Sequence, residues 1–270
     1  MTPAVATTPE IRHKIRFRFR KDGDLRFVSH HDLMRCLERT LRRAEIPFRT
    51  TSGFHPHPRM VFALSLSLGI IGAEEVVEIE LSEVIPADEA LARVSFQAPP
   101  GMTFLSAREI PFNRTAIVRR MVFAIEIPPE RRADVEIKLD ALLKSEDCWV
   151  IRVKPSPRKV NIRPYIRDLR WDDSTLVFDL WVTTTGTARA DELLGVLGCR
   201  DWLNAGGVLT RTQLEVIDEL DADALAQSPN PERFIGLSMP IDRVPEDMIE
   251  PEDETPSAQW GLSPNGPVSE

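Results

Sequence analysis

The sequence predicts an α+β fold built from two tandem ferredoxin-like units, each with the order β-α-β-β-α-β, followed by a disordered acidic C-terminal tail. Three observations lead to this prediction. The hydrophobic period switches between two, which is typical of strands, and 3.6, which is typical of helices. The order of these switches is the same in both halves of the chain and matches the ferredoxin-like unit. The last part of the chain is rich in proline and acidic residues and poor in aromatic ones.

The first unit begins with a strand at 14–20, where apolar and cationic residues alternate strictly. Ser29 and Asp32 have the spacing of a capping box. They predict a helix over 30–45, in which apolar residues recur at the helical period. The other predicted elements of this unit are strands at 60–68, 76–81 and 101–109 and a helix at 86–96.

The second unit repeats the same order of periods. Its predicted strands are 121–127, 148–153, 174–184 and 208–216, and its predicted helices are 129–146 and 188–198. A loop rich in proline, lysine and arginine separates its second and third strands. We therefore divide the chain into a first unit at 1–112, a second unit at 113–218 and the acidic tail at 219–270.

The composition is that of an ordinary globular protein, with 270 residues, a net charge of −8 and three cysteines. The cysteines form no CxxC pair, which argues against a zinc knuckle, an iron–sulfur cluster and a disulfide framework. No apolar run reaches the ~20 residues that span a bilayer, and the first residues lack the pattern of a signal peptide. We expect a cytoplasmic protein with no cofactor and no membrane contact.

The charge is distributed unevenly along the chain. Residues 1–60 contain 13 Lys and Arg against 6 Asp and Glu, a net charge of +7. Residues 212–270 contain 2 basic against 14 acidic residues, a net charge of −12. This asymmetry suggests an anionic partner for the basic front, and we expect the acidic tail to compete with that partner.

Two basic elements of the first unit are candidates for binding an anion. The cations of the strand at 14–20 form an anion-binding face, or they are neutralised by Glu78 and Glu80 on the neighbouring strand. The helix at 30–45 has its cations opposite the apolar stripe, and all of them are arginine, whose planar guanidinium suits phosphate. A solvated helix face is the alternative interpretation. The candidate nucleic-acid-binding residues of this helix are Arg35, Arg39, Arg42 and Arg43.

A second basic cluster lies in the other half of the chain. Its candidate nucleic-acid-binding residues are Lys154, Arg158 and Lys159, with Tyr165 as a side chain on which a base could stack. Ordinary surface-loop charge is the alternative interpretation.

All five histidines fall within the first 57 residues. His30 and His31 lie in the first turn of the predicted helix, and His55 and His57 each precede a proline. We expect folding to bring these four histidines together beside Arg59. Four interpretations stay open: contact with RNA phosphate, general acid–base cleavage of RNA, a metal site joined by Asp32, or merely a stiff turn and a helix cap.

The elements SHHD, GFHPHPRM and GAEE, within residues 12–83, resemble a bacterial family of radical-SAM-associated proteins of unknown function. The resemblance implies a standalone member that works beside a radical SAM enzyme in RNA modification. It transfers no catalytic residue. This sequence has no CxxxCxxC motif, so the resemblance implies that a partner performs any radical chemistry.

A weaker, architectural similarity connects the chain to the CRISPR repeat-processing endoribonucleases, which also pair two ferredoxin-like units. Only NAGG at 204–207 corresponds to their glycine-rich loop. From all these features we expect an RNA-interacting accessory protein that works with a separately encoded radical SAM enzyme. The alternatives are a metal-independent endoribonuclease that uses the histidines and a metal-binding or protein-interaction module.

Overall fold

The protein is described by a computed structural model that covers residues 12–54 and 56–240. This part of the chain is a mixed α+β fold with one nine-stranded sheet, one three-stranded sheet and six α-helices. The strands are β1 (His13–Lys21), β2 (Met60–Phe62), β3 (Ile71–Leu81), β4 (Met102–Glu109), β5 (Val118–Glu126), β6 (Trp149–Arg152), β7 (Arg158–Asn161), β8 (Ile166–Asp172), β9 (Thr175–Thr183), β10 (Gly186–Thr187), β11 (Thr210–Val216) and β12 (Ser238–Pro240). The helices are α1 (His30–Arg43), α2 (Ala87–Phe96), α3 (Pro129–Lys144), α4 (Ala190–Val196), α5 (Arg200–Asn204) and α6 (Ala222–Ala226).

The strands of the large sheet follow the order β10-β9-β5-β11-β3-β1-β4, with β2 on β3 and β8 on β9. Strand β11 pairs with β3 in parallel through two residue pairs only, Thr210 with Ile71 and Arg211 with Gly72. The first half of the chain therefore joins the second half through a short seam in the sheet. The α+β prediction is confirmed, whereas the division into two tandem ferredoxin-like units stays a prediction.

Strand β1 has the two-faced pattern that its sequence predicts. Ile15, Phe17 and Phe19 are fully buried in the core beneath α1 and α2. Burial of each such side chain contributes roughly 1.5–3 kcal/mol. The helix α1 begins as predicted, because the Asp32 backbone N–H donates to Ser29 Oγ at 3.2 Å. Its residues Leu33, Leu37 and Leu41 are buried against β1.

The prediction of one long strand at 60–68 is wrong, because only Met60–Phe62 forms a strand. The alternating sequence of this segment suits a strand, but β11 already occupies the edge of β3 at Ile71 and Gly72. The guanidinium of Arg211 donates to the carbonyl oxygens of Leu64 and Ser65 at 3.2 and 3.1 Å. These contacts hold the chain after β2 in an irregular conformation.

The second half differs from its prediction in the position of its second strand. Strand β6 corresponds to the predicted strand at 148–153, but it forms the separate three-stranded sheet with β7 and β12. The place beside β9 is taken by β8, within the segment predicted to be a basic loop. Buried Ile166 and Leu169 are three residues apart, because the pairing shifts register between Ile166 and Asp168. Because of this irregularity, the apolar residues of β8 do not alternate, and the sequence pattern does not predict the strand.

The beginning of the predicted acidic tail packs on the rest of the protein. The segment after β11 includes α6 and β12, which pairs with β7. Phe234 is buried and stacks on Tyr165, with 4.9 Å between ring centroids. The predicted tail from residue 241 to residue 270 lies outside the described residues. Among the helices of the described chain, none has the length and apolar character needed to cross a membrane.

A buried ion cluster lies at the seam between the halves. Glu75 of β3, Arg211 of β11 and Lys21 of β1 are 3%, 2% and 1% exposed. The Arg211 Nε donates to Glu75 Oε1 at 2.9 Å. Burial lowers the pKa of Lys21, and the charge of Arg211 lowers it further, although the charge of Glu75 opposes both effects.

The lowered pKa of Lys21 predicts how stability depends on pH. Between its folded-state pKa and about 10.4, the ordinary lysine value, only the unfolded chain keeps this proton. Raising the pH through this window therefore favours the folded state. We expect the stability of the wild type relative to K21M, from urea unfolding, to increase as the pH rises from 7 to 10. A constant difference would contradict this prediction. The three cysteines are present in both proteins, so the effect of their titration on stability cancels in this difference.

Candidate nucleic-acid interface

The N-terminus of α1 places two of the predicted histidines, but in different surroundings. His30 is half-buried and packs edge-to-face against Phe62, with ring centroids 4.9 Å apart. His31 is exposed, and its ring centroid is 6.3 Å from that of His30. His30 therefore contributes to packing, whereas His31 faces solvent.

His57 lies against the middle of α1 and not at its N-terminus. Its Nδ1 is 3.5 Å from Glu38 Oε2, and Arg42 Nη2 donates to Glu38 Oε1 at 2.8 Å. Burial acts to raise the pKa of Glu38, but the hydrogen bonds from Arg42 and His57 outweigh it and hold that pKa below its usual value. The Glu38 carboxylate therefore links α1 to the loop that contains His57 and Pro58, which we call the proline-rich loop.

The three described histidines of this set, His30, His31 and His57, do not lie at one place. Glu38, the partner of His57, follows His31 by seven residues, which is about 10 Å along a helix. His55 lies outside the described residues. No three His, Cys, Asp or Glu side chains in the described ranges are placed to hold a metal ion. A catalytic or metal-binding role of His30, His31, His55 and His57 stays a prediction.

The outward face of α1 bears the four predicted arginines, and all of them are exposed. Arg35 Nη1 lies 3.4 Å from Asp32 Oδ1, and Arg42 pairs with Glu38 while its guanidinium lies over the Phe48 ring. Arg39 and Arg43 make no ion pair with any residue in the described parts of the chain. The face therefore has two acidic partners for four guanidinium groups. We call these four residues and Arg59 the arginine surface.

Arg59 lies at the end of the loop that brings His57 to α1. The loop folds back on itself, because the Thr51 backbone N–H donates to the His57 carbonyl and Thr50 bridges to Pro58. Arg59 is exposed; its Nε donates to the Thr50 carbonyl at 3.2 Å and its Nη1 lies 3.6 Å from Glu80 Oε2. Its charge is thus partly balanced by Glu80.

The second predicted basic cluster is spread over a hairpin and does not surround a free aromatic ring. Lys154 is exposed, whereas Arg158 and Lys159 are half-buried on β7. The Nζ of Lys159 lies over the Trp149 ring, 5.2 Å from its centroid. Tyr165 is 2% exposed and stacks on a core side chain. We therefore assign Tyr165 to the core, where no ring face is left for a base.

The cationic face of β1 is neutralised by Glu78, which the sequence predicts, and by two further carboxylates, which it does not predict. Arg16 is 1% exposed, and it pairs with Glu78 at 2.7 Å as the strand pattern suggests. It also contacts Asp218 at 2.6 Å and Glu219 at 2.9 Å. The strongly acidic charge after residue 212 was the only sequence signal for these partners. The neutralisation alternative therefore describes β1 better than an open anion-binding face.

Comparison with known proteins places most of this architecture in one family. Residues 14–191 match a family profile described as "Uncharacterized protein conserved in bacteria (DUF2344)". The match includes β1, α1 and the proline-rich loop, and it ends within α4, before β11 and the acidic segment. No sequence among curated proteins matches the chain.

Proposed function

The chain belongs to the DUF2344 family of bacterial proteins, and we propose that it is an RNA-binding accessory protein that works in the cytoplasm with a separately encoded radical SAM enzyme. One observation supports RNA binding most directly. Arg39 and Arg43 are exposed, one helical turn apart, without an acidic partner in the described chain. Unpaired guanidinium groups on a rigid helix are suited to phosphate oxygens because their donors are planar and always charged.

The dimensions of the arginine surface suit a nucleic-acid backbone. Arg35 and Arg43 are eight residues apart, which corresponds to about 12 Å along the helix axis. A stacked strand presents roughly three phosphates over this length. Arg35 pairs with Asp32 and Arg42 pairs with Glu38, and both guanidinium groups are exposed. Ion pairs at the surface contribute little, so these arginines exchange readily to a phosphate.

His57 extends this surface toward the loop. Its ring is 64% exposed, and its Nδ1 faces Glu38. The Nε2 has no partner within the described residues and is free to contact a phosphate or a base. In this proposal His57 and Arg59 contact the strand beyond the end of the helix.

The proposal predicts the loss of RNA affinity in the variant R39Q/R43Q. We expect the dissociation constant for a fluorescein-labelled oligouridine of about 20 nucleotides to increase at least tenfold at about 50 mM salt, from fluorescence anisotropy. The slope of log affinity against log salt should decrease by about 1.4, since each single-strand phosphate contact contributes about 0.7. Because the side chains of Arg39 and Arg43 lie at the surface, the substitutions remove two positive charges without disturbing the core. A loss of affinity would therefore report lost phosphate contacts.

The matched control is R170Q/R200Q, which removes the same charge from exposed positions in the second half of the chain. This control should change the affinity by less than about threefold, since it alters only distant charges. Equal losses in the two variants would show that net charge alone determines binding. Absence of RNA binding by the wild type at low salt would refute the proposed function.

The radical SAM part of the proposal has the support of the resemblance in SHHD, GFHPHPRM and GAEE and of the missing CxxxCxxC motif. It is tested by isothermal titration of the protein into a reconstituted radical SAM enzyme from the same organism, with and without the RNA. Binding that requires RNA would favour substrate presentation. Binding that is independent of both RNA and the arginine surface would favour the alternative of a protein-interaction module.

We further propose that each half is a ferredoxin-like unit, with the boundaries 1–112 and 113–218. The support is the strand order. In the first half this order is β4-β1-β3-β2, and in the second half it is β11-β5-β9-β8. Both orders correspond to fourth-first-third-second within a β-α-β-β-α-β unit. The fold alone does not determine the function, so the RNA proposal depends on the arginine surface.

A further inference from the structure

We propose that Asp218 and Glu219 occupy a second anion-binding site, formed by Arg16, Arg18 and Arg108, which the phosphates of RNA enter when the acidic segment detaches. This inference rests on the proposed RNA-binding function. It extends that function to the other face of the sheet, because α1 packs on the apolar face of β1 and these arginines lie on the opposite face.

Three guanidinium groups converge on the two carboxylates. Arg16 holds Asp218 through two hydrogen bonds, from Nη1 to Oδ1 at 2.6 Å and from Nη2 to Oδ2 at 3.0 Å. The same Arg16 Nη1 donates to Glu219 Oε1 at 2.9 Å. Arg18 donates to Glu219 Oε2 from Nε at 3.2 Å, and Arg108 Nη2 lies 3.4 Å from Asp218 Oδ1 and 3.2 Å from Glu219 Oε1. All four carboxylate oxygens are therefore bound.

This geometry also suits phosphate. Paired parallel hydrogen bonds from one guanidinium are the usual contact of arginine with both carboxylate and phosphate. The partners that remain after detachment are Glu78, which pairs with Arg16 and lies 3.7 Å from Lys14, and Glu74, which lies 3.6 Å from Arg18. Four cations would then face two carboxylates. The vacated site would therefore have an excess of two positive charges, which two phosphodiester groups would neutralise.

The carboxylates are ionised at neutral pH, as a phosphate mimic must be. Burial acts to raise the pKa values of Asp218 and Glu219. The hydrogen bonds from Arg16 and Arg18 outweigh this effect and hold both pKa values below their usual range. The two side chains thus present fixed negative charge to the arginines.

Residues 217–227, the part of the acidic segment that covers these arginines, are held mainly by polar contacts, so this part can detach while the downstream anchor Phe234 stays in the core. Neither the turn Ile217–Glu219 nor α6 contains a buried residue. Arg119 donates to the Ala224 carbonyl, and Asp221 caps α6 by accepting from the Ala224 backbone N–H. A segment with few buried apolar contacts opens at a lower free energy than the core. Ion pairs at partly exposed positions also weaken with salt.

The test compares E219Q with the matched control D223N. Each removes one negative charge from the same segment, but Asp223 is exposed and makes no ion pair among the described residues. We expect E219Q to bind the labelled oligouridine about fivefold more tightly than the wild type, with a steeper salt dependence because Arg18 and Arg108 each lose one of their two carboxylate partners. D223N should change the affinity by less than about twofold. Equal gains in both variants would overturn the inference.

The single substitution is chosen to preserve the fold. In E219Q the buried Arg16 keeps Glu78 and Asp218 as partners. Hydrogen exchange of the wild type provides a second measurement that requires no variant. Amides in 217–227 should exchange faster when RNA is added, because binding at the site and closure of the segment exclude each other. Unchanged or increased protection of this segment would overturn the inference.

A third variant separates this inference from the proposed function. E219Q/R39Q/R43Q lacks the two unpaired arginines of α1, and its second site is covered by Asp218 alone. If it binds RNA more tightly than R39Q/R43Q, the second site exists independently of the arginine surface. If the wild type binds through the arginine surface but E219Q adds nothing, only the second site is refuted. If no variant binds RNA, both proposals fail.

Discussion

Replacing Glu75 with glutamine should reduce the free energy of unfolding by about 3–5 kcal/mol, the usual cost of breaking a buried ion pair. Glu75 is 3% exposed and provides the carboxylate between the buried cations Arg211 and Lys21. Without it, two positive charges are left in the interior at the seam, where β3 and β11 share only two residue pairs. The effect should be measured by urea unfolding at neutral pH.

The matched variant is R211M, which removes the other charge of the same ion pair. It should cost less than E75Q, because Glu75 keeps Lys21 as a counter-charge and methionine fills much of the volume. The double variant E75Q/R211M should be more stable than the sum of the two single losses predicts, since the partners interact directly. If R211M costs more than E75Q, then the hydrogen bonds of Arg211 to the Leu64 and Ser65 carbonyls outweigh the ion pair.

The elements that the sequence predicts well are those whose apolar residues recur regularly. In β1 Ile15, Phe17 and Phe19 enter the core from alternate positions, and in α1 the buried leucines recur every four residues. Such elements place one face on a single packing partner, so their period directly reports their structure. The α+β class and the capped start of α1 follow from this local information.

The errors arise where a distant strand decides the local structure. The segment after β2 alternates like a strand, yet β11 and the buried Arg211 take the place that it would need. Strand β8 is hidden by a bulge, which separates its buried residues by three positions. Neither effect can be read from a local window, because each depends on which strand lies beside which.

The candidate site shows the same limit. The four arginines of α1 are predicted from helical period alone, and the structure places all of them at the surface. The partners of Arg16, in contrast, are about two hundred residues away in the chain. The predicted topology brings the histidines together at the sheet edge where α1 begins, but the loop closes on Glu38 and brings His57 to the middle of the helix.

Truncating Phe234 to alanine should release the acidic segment and leave the large sheet folded. Phe234 is the buried residue between β11 and β12, where it stacks on Tyr165. Removal of a buried phenylalanine costs about 3–5 kcal/mol. If that loss falls on the local opening of the segment, the population of the open form should increase by about two to three and a half orders of magnitude, since each 1.4 kcal/mol is about tenfold. Limited proteolysis should show this increase as faster cleavage within 220–237.

The neighbouring Ile235 provides the control, because it is 78% exposed and its truncation removes little packing. I235A should be cleaved at nearly the wild-type rate. F234A should also bind RNA more tightly than I235A, because the downstream anchor of Asp218 and Glu219 is lost and the arginines beneath them become accessible more often. If F234A is cleaved faster but its RNA affinity is unchanged, the segment is merely a loose end of the fold. If cleavage and affinity rise together, the same opening equilibrium controls both, as mass action requires when RNA binds only the open form.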